Sequence, residues 1–175
     1  FRVPARQYMG YLLDDGTFLA ADIRNCRIVI IDPATSTIVR QFGKTGRSHC
    51  YHKPPQYLGS PNGATPMANG DILITEIRGA WITRITREGK VDRDKPAPRI
   101  PYPSAAIPTV DGKQVIVADF AKPGRVVIFD PATKKVTWEY YVEKGEAMLD
   151  HPSLARELPG LPPAAWAARS RPRAP

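Results

Sequence analysis

The chain has 175 residues and a formal net charge of +8. Its 42% apolar and 24% charged residues are ordinary for a globular protein and exclude a disordered chain. No apolar run approaches the roughly 20 residues that a transmembrane helix needs, so we expect no membrane association. The chain opens at Phe1 without a basic-then-apolar signal, so either a leader has been removed or the sequence starts inside a longer protein.

The first elements in chain order are short strands. They are rich in Val, Ile and aromatic residues and are bounded by Gly, Pro, Asn and Asp, which is typical of strands: residues 17–22, 27–32 and 37–42. The dipeptide Asp15-Gly16 leads into the first run, and Asp32-Pro33 makes a turn between the last two. We interpret these runs as the second to fourth strands of one antiparallel sheet.

The same unit recurs twice further along the chain. Gly16, Gly70 and Gly112 each lead into an apolar run that ends in an acid, and they are 54 and 42 residues apart. A period of about 40 to 50 residues with several strands in each repeat is typical of propeller blades. The sequence therefore predicts an all-β fold, a partial β-propeller of about three four-stranded antiparallel blades.

The repeat pattern breaks off near the end of the chain. His151-Pro152-Ser153 opens a fourth unit, but the turn and strand that should follow are replaced by a tail of mostly Ala, Pro and Arg. We expect blades over residues 1–155 and a disordered tail over residues 156–175, produced by frameshift or truncation of a longer gene. A functional Pro/Arg linker is the alternative.

The first unit carries a family resemblance. Its residues resemble an NHL repeat at Asp15-Gly16, Asp22, Asn25, Arg27-Ile28, Asp32-Pro33 and Gln41-Phe42-Gly43. The later units depart from that pattern at Arg78-Gly79 and at Lys122-Pro123-Gly124. The resemblance implies a propeller that closes with six blades, of which this chain would hold about half. It implies architecture more firmly than activity, because relatives include protein- and RNA-binding modules, lyases and lactonase-like hydrolases.

Half a propeller leaves blade faces uncovered. An open arc of three blades should expose two large apolar faces, since blades bury their faces against their neighbours. Two copies packed about a two-fold axis would cover both faces and complete a six-bladed ring. We therefore expect a homodimer, with a small-molecule or protein ligand that the sequence does not identify.

Polar residues near the expected propeller axis are candidates for a binding site. The segments that lead into the inner strands supply four of them: Tyr8, Asn62, Ser104 and Ser153. Asp22, Glu76 and Asp119 end the second strands, where their oxygens would suit Ca²⁺. The alternative is that these carboxylates accept backbone N–H bonds in the turn that follows each strand. No cofactor is firmly implied.

The two cysteines allow three interpretations. A disulfide between Cys26 and Cys50 is favoured over two free thiols, and it would suit a secreted or periplasmic protein. Zinc bound by Cys50 with His49 and His52 is the third, but neighbouring His and Cys residues have poor geometry for sharing one ion.

Two arginines occupy equivalent positions after acids. Arg24 and Arg78 would bind an anion or an RNA backbone if both point to one propeller face, and salt bridges within their turns are the alternative. Basic residues are otherwise scattered, so nucleic-acid binding is less favoured. The leading interpretation of function is a binding or interaction scaffold. The alternatives are a metal-dependent hydrolase or lyase with its site on the propeller axis, and RNA binding by a basic face.

Overall fold

A computed structural model describes residues 10–46, 50–96, 100–122 and 124–141 of the chain. Within these ranges twelve strands form three four-stranded antiparallel sheets, which we call blades 1 to 3. Blade 1 consists of β1 (Gly10–Leu12), β2 (Phe18–Asp22), β3 (Arg27–Asp32) and β4 (Thr37–Phe42). Blade 2 consists of β5 (Pro61–Pro66), β6 (Ile72–Glu76), β7 (Trp81–Ile85) and β8 (Val91–Pro96). Blade 3 consists of β9 (Pro103–Pro108), β10 (Val115–Asp119), β11 (Arg125–Phe129) and β12 (Val136–Tyr141).

The turns within the blades explain why the strands recur in register. Asp32 accepts a hydrogen bond from the Ala34 N–H at 2.8 Å, and Asp130 accepts the equivalent bond from the Ala132 N–H at 2.7 Å. A carboxylate that binds a backbone N–H two residues later closes a tight turn between adjacent strands. Gly70 adopts a φ of +85° in the turn that enters β6, a region that side chains disfavour.

Alternation along the strands builds a core on both sides of blade 2. Ile72 and Ile74 of β6 point to blade 1, whereas Leu73 points to blade 3. The cluster between blades 1 and 2 also includes Leu19, Ala21, Ile28, Phe42, Leu58, Ala64 and Ile85. The cluster between blades 2 and 3 also includes Ile82, Ile100, Ala106, Val115, Val117, Val127 and Phe129. Strands β6 and β7 of blade 2 each contribute to both clusters, so they are covered on two faces, as in a stack of propeller blades.

The chain is all-β and forms part of a β-propeller, as its sequence predicts. Strand β5 lies against blade 1 through β1 and β2, and against blade 3 through β9, so the first strand of each blade is the innermost one. The described residues contain one short 3-10 helix, Ile23–Asn25. Within the described part of the chain, no helix is long and apolar enough to cross a membrane.

The two ends of the blades differ in the segments that they carry. The connections between blades and the turns between each second and third strand lie at one end, which we call the loop end. The other two turns of each blade lie at the opposite end, which we call the turn end. Because β2, β6 and β10 finish at the loop end, the acids that close these strands are brought to the same side of the molecule.

The outward faces of the two terminal blades are covered unequally. On blade 1, four cross-strand partners form an apolar row on the face turned away from blade 2: Leu12, Phe18, Ile31 and Ile38. Leu12, Phe18 and Ile38 of this row are 66%, 41% and 37% exposed. On blade 3, the outward-facing Ile116, Ala118 and Ile128 are all buried. The middle of the outward face of blade 1 is buried as well, at Ala20 (1%) and Val29 (4%). The expectation of two large exposed apolar faces is therefore wrong for the middle of both blades, and the exposed apolar surface is the row at the turn end of blade 1.

Candidate functional site

The acids at the loop end of blades 1 and 3 are each held by an arginine of the same blade. Asp22 and Asp119 are both buried. Arg27 Nε donates to Asp22 Oδ2 at 2.9 Å, and Arg125 Nε donates to Asp119 Oδ2 at 2.9 Å. Each arginine is the direct cross-strand partner of its aspartate. A buried carboxylate is stable when a cation and further donors satisfy it, so both pairs have a structural role.

The remaining oxygens of these two aspartates are also used. Asp22 accepts bonds from the Asn25 side-chain amide at 2.9 Å. Asp119 Oδ1 accepts bonds from the backbone N–H groups of Tyr102 and Ala121, both at 3.2 Å. The bond from Ala121 agrees with the alternative interpretation of Asp119, as an acceptor for a backbone N–H of the following turn. The bond from Tyr102 comes from the connection before β9.

Blade 2 departs from this pattern. The cross-strand partner of Glu76 is Trp81, which stands where Arg27 and Arg125 stand in the other blades. Glu76 is fully buried, and His52 Nδ1 lies 2.9 Å from its Oε2.

Other donors complete the surroundings of the Glu76 carboxylate. The Gly59 N–H donates to Oε2 and the Thr83 hydroxyl donates to Oε1. The indole of Trp81 stacks on the His52 imidazole, with ring centroids 3.8 Å apart and planes 8° apart. In blade 2 the arginine of the repeat is thus replaced by a histidine supplied from the connection between blades.

That connection runs close over the loop end, and we call residues 50–60 the strap. Cys50 at its start is joined to Cys26 by a disulfide, with Cα atoms 5.0 Å apart. Leu58 donates its N–H to the Cys26 carbonyl at 3.1 Å. A Cβ at Gly59 would lie 2.5 Å from the Arg78 carbonyl oxygen, so only glycine fits where the strap crosses blade 2. The strap is fastened to both blades.

Each of the three acids considered as calcium ligands therefore has its own set of hydrogen-bond partners. Asp22, Glu76 and Asp119 each accept several hydrogen bonds from nearby side chains or backbone. In the described ranges, no group of three or more His, Cys, Asp or Glu side chains is arranged to hold a metal ion. For the zinc interpretation, the Cys50 sulfur is bonded to Cys26, and His49 lies outside the described residues.

The predicted axis residues divide into two groups. Asn62 and Ser104 lie together, buried, between the innermost strands of blades 2 and 3. Asn62 Nδ2 donates to the Ser104 carbonyl at 2.9 Å and lies 3.2 Å from its Oγ. Thr75 donates to the same carbonyl at 2.9 Å. These contacts join one blade to the next. Tyr8 and Ser153 lie outside the described residues.

Charge is distributed unequally between the two ends of the blades. The exposed cations at the loop end are Arg24, Lys44, Lys53, Arg78 and Lys122. The turns and connections at this end contain no acid within the described ranges. At the turn end, by contrast, the turns and the strand ends beside them carry both signs of charge. The acids are Asp14, Asp15, Asp32, Asp71, Glu88, Asp111 and Asp130, and the cations are Arg87, Lys90, Lys113, Lys134 and Lys135. The loop end therefore presents a positively charged surface, to which the predicted residues Arg24 and Arg78 belong.

Exposed aromatic side chains accompany these cations. The guanidinium of Arg78 lies 4.0 Å from the centroid of the Tyr51 ring, and Tyr51 is 57% exposed. Tyr57, further along the strap, is 36% exposed. Cations next to exposed rings form a surface that suits planar or anionic ligands.

Sequence reasoning missed Tyr51, Lys53 and Tyr57 as surface residues. They lie on the strap, which has no counterpart in the strand pattern of the repeat. One signal was available: blade 2 has Trp81 where the other units have arginine, which indicates that Glu76 has a partner from outside its own sheet.

Comparison with known proteins supports the fold. No family model matches the chain, and no curated protein matches it. Among solved structures, a streptogramin B lyase superposes with a TM-score of 0.60 at 16% identity, over 82% of this chain and 43% of that one. The virginiamycin B lyase of Staphylococcus aureus gives a TM-score of 0.57 at 22% identity, over 83% and 44%. A protein of unknown function from Bacteroides caccae gives 0.53 at 15%, over 80% and 48%.

These likenesses concern architecture. The chain spans less than half the length of the solved structures that it resembles. Identities this low show a common fold and leave activity open. The comparisons support the β-propeller fold, whereas the assignment of the repeats to the NHL family stays a prediction. The chain is part of a β-propeller with a cationic loop end.

Proposed function

We propose that the chain is a propeller-type binding scaffold whose loop end binds an anionic partner, and that this partner is single-stranded RNA. The observation that carries the proposal is the unequal charge of the two ends of the blades. The acids that end the second strands, Asp22, Glu76 and Asp119, are buried and hydrogen-bonded to protein partners, whereas the cations of the loop end are exposed. A surface on which one sign of charge predominates attracts a polyanion and orients its approach.

The exposed tyrosines favour single strands over a duplex or an acidic protein. Tyr51 and Tyr57 are 57% and 36% exposed, on the same strap as Lys53. Unpaired bases stack on aromatic rings, and each stacked base contributes about 1 to 3 kcal/mol. An acidic peptide would use the cations but would gain less from the rings.

The alternative is a metal-dependent hydrolase or lyase, and the two lyases among the structural neighbours are the reason to keep it in view. In this chain, however, Asp22 and Asp119 already pair with arginines at 2.9 Å, and Glu76 accepts three hydrogen bonds. An ion that used these carboxylates would have to displace those partners. We therefore favour the scaffold.

Binding of a fluorescent single-stranded RNA, followed by anisotropy over a range of salt concentrations, tests the proposal. Lys53→Glu with Arg78→Glu at the loop end should weaken binding and reduce the salt slope by about 1.4, since each contact with a single strand contributes about 0.7. The matched control is Lys113→Glu with Lys134→Glu, which changes the net charge equally at the turn end and should leave more binding. Equal losses in the two double variants would contradict the proposal.

A second variant separates RNA from other anions. Tyr51→Ala should weaken RNA binding by at least about 1 kcal/mol, or about fivefold, because stacking on its ring is lost. Poly-glutamate should bind more weakly than RNA and respond little to this change. Poly-glutamate binding as strong as RNA binding would indicate an acidic protein as partner and would contradict the RNA proposal.

We also propose that a second copy of the chain covers the outward face of blade 1. The equivalent face of blade 2 shows how such a face is covered: Ile72 and Ile85, which correspond to Phe18 and Ile31, are 5% and 3% exposed against blade 1. Because Leu12, Phe18 and Ile38 of the apolar row are exposed, we expect the two copies to meet through the turn ends of their first blades. Such an isologous contact replaces the closed ring expected from the sequence.

A further inference from the structure

We infer that His52 and Glu76 form a proton-dependent latch that holds the strap on blade 2. The two side chains come from different parts of the fold, since His52 lies on the strap and Glu76 ends β6. His52 Nδ1 is 2.9 Å from Glu76 Oε2, and the side chains are 9% and 0% exposed. An interaction so well shielded from water is sensitive to the charge of its partners.

The comparison of the three blades shows why the histidine matters. In blades 1 and 3 an arginine, which is charged at every ordinary pH, holds the equivalent carboxylate at 2.9 Å. In blade 2 that position is taken by Trp81. Within the described part of the chain, Glu76 has no lysine or arginine partner, so His52 is its source of positive charge. Histidine supplies that charge only when it is protonated.

Three described residues surround or adjoin the imidazole: Glu76, Arg78 and Trp81. Glu76 faces the imidazole from β6, and Arg78 in the following turn is stacked on Tyr51, the strap residue next to His52. Trp81 faces the imidazole from β7 and does not titrate. Histidine is the one side-chain type in this group that ordinarily changes charge between pH 5 and 8, so a pH effect in this range is assigned to His52.

The direction of the pH effect follows from the pairing. The buried carboxylate favours the protonated imidazole more in the closed strap than in the open one. The stabilisation is therefore fully present below the titration midpoint of the open form, near 6.5 for an unperturbed histidine, and is lost as the pH rises through the midpoint of the closed form. The disulfide keeps Cys50 attached at any pH, so opening affects residues 51–60.

The latch would regulate the loop end because Tyr51, Lys53 and Tyr57 lie on the strap. This consequence rests on the proposed RNA binding, whereas the latch itself does not. A closed strap holds the ring of Tyr51 beside Arg78, so RNA affinity should be higher at pH 6 than at pH 8 beyond any change caused by the charge of the RNA.

Amide hydrogen exchange of residues 51–60 between pH 5.5 and 8.5, corrected for the intrinsic exchange rate, tests the latch without RNA. We expect protection of the Gly59 amide, which donates to Glu76, to be lost progressively as the pH rises across this range. His52→Gln should give lower protection that does not depend on pH. His151→Gln is the control and should behave as the natural chain does.

Trp81→Arg adds a sharper outcome. It restores the arginine of the other blades, so it should keep the strap protected at pH 8.5 and remove the pH dependence. If Trp81→Arg fails to fold, the titration of the His52 ring resonance is compared between the natural chain and Glu76→Gln. The titration midpoint should be lower in Glu76→Gln than in the natural chain. Constant protection of the natural chain, or equal pH dependence in His52→Gln, would overturn the latch. If the strap shows the expected pH-dependent protection but the chain does not bind RNA, the proposed function is contradicted and the latch is not.

Discussion

The indole of Trp81 covers the imidazole of His52, with ring centroids 3.8 Å apart. This stack takes the place of the arginine that pairs with the acid in the other two blades. The repeat thus keeps its strands and its buried carboxylate while the partner of that carboxylate changes. Blade 2 is consequently the blade that depends on the strap, and the strap carries exposed residues of the cationic surface.

Removing the disulfide should destabilise the fold and loosen the strap. Cys26 and Cys50 are 24 residues apart in sequence, and closing a loop of this length contributes about 3 kcal/mol to the free energy of unfolding. The double variant Cys26→Ala with Cys50→Ala should therefore melt at a lower temperature, as followed by circular dichroism. Addition of a reductant should lower the melting temperature of the natural chain and leave that of the double variant unchanged. A natural chain insensitive to reductant would contradict the pairing.

Asp119→Asn should be strongly destabilising. Asp119 is 1% exposed, and its carboxylate pairs with Arg125 and accepts two backbone N–H groups. Removing one charge of a buried pair costs about 3 to 5 kcal/mol, and urea unfolding measures the change. Asp111→Asn is the matched control at an exposed turn, where a much smaller loss is expected. If added Ca²⁺ stabilised the natural chain but not Asp119→Asn, the carboxylate would be a metal ligand rather than a structural partner.

Stability should fall in acid partly through Asp71. Burial opposes its ionisation, but hydrogen bonds from Arg84 and Asn69 more than offset this and hold the pKa of Asp71 below its ordinary value. Its contribution is therefore present above the unfolded pKa of about 3.9 and is lost as the pH falls through the lower folded value. Asp71→Asn should be less stable than the natural chain at pH 7, with the difference shrinking toward pH 2. A difference that stays constant would show that Asp71 does not act through its charge.

The outward face of blade 1 should mediate self-association. Light scattering after size-exclusion chromatography should give the natural chain a mass of about twice the 19.4 kDa of one copy. Phe18→Glu places a charge in the middle of the apolar row and should yield the monomer. Val110→Glu is the control, because Val110 is 87% exposed and lies on another blade. A natural chain that is monomeric at high micromolar concentration would rule out this contact.

The sequence predicted the strands closely and the site poorly. Strands β3 and β4 have the predicted limits because repeated turn residues such as Asp32 mark where each strand must reverse. The acids were correctly placed at the strand ends, but their partners were not: Arg27 and Arg125 bind them, whereas Arg24 had been considered. Cross-strand pairing decides such contacts, and it is visible only once the register is known.

The contacts of the strap were beyond sequence reasoning for a different reason. His52 and Glu76 are 24 positions apart, and His52 lies on the strap, which is outside the named strands of the repeat. The exposed row on blade 1 and the buried residues of blade 3 also required the structure, because alternation of apolar residues shows which side chains share a face and does not show which part of that face is covered.

The most direct test of the account is to map the RNA contact by hydrogen exchange mass spectrometry on the natural chain, with and without single-stranded RNA. We expect added protection in the strap, residues 50–60, and in the turn at residues 77–80, with none in the turn at residues 109–114. Protection confined to residues 109–114, or no protection at RNA concentrations that saturate a typical single-strand binder, would contradict the assignment of the loop end as the binding surface.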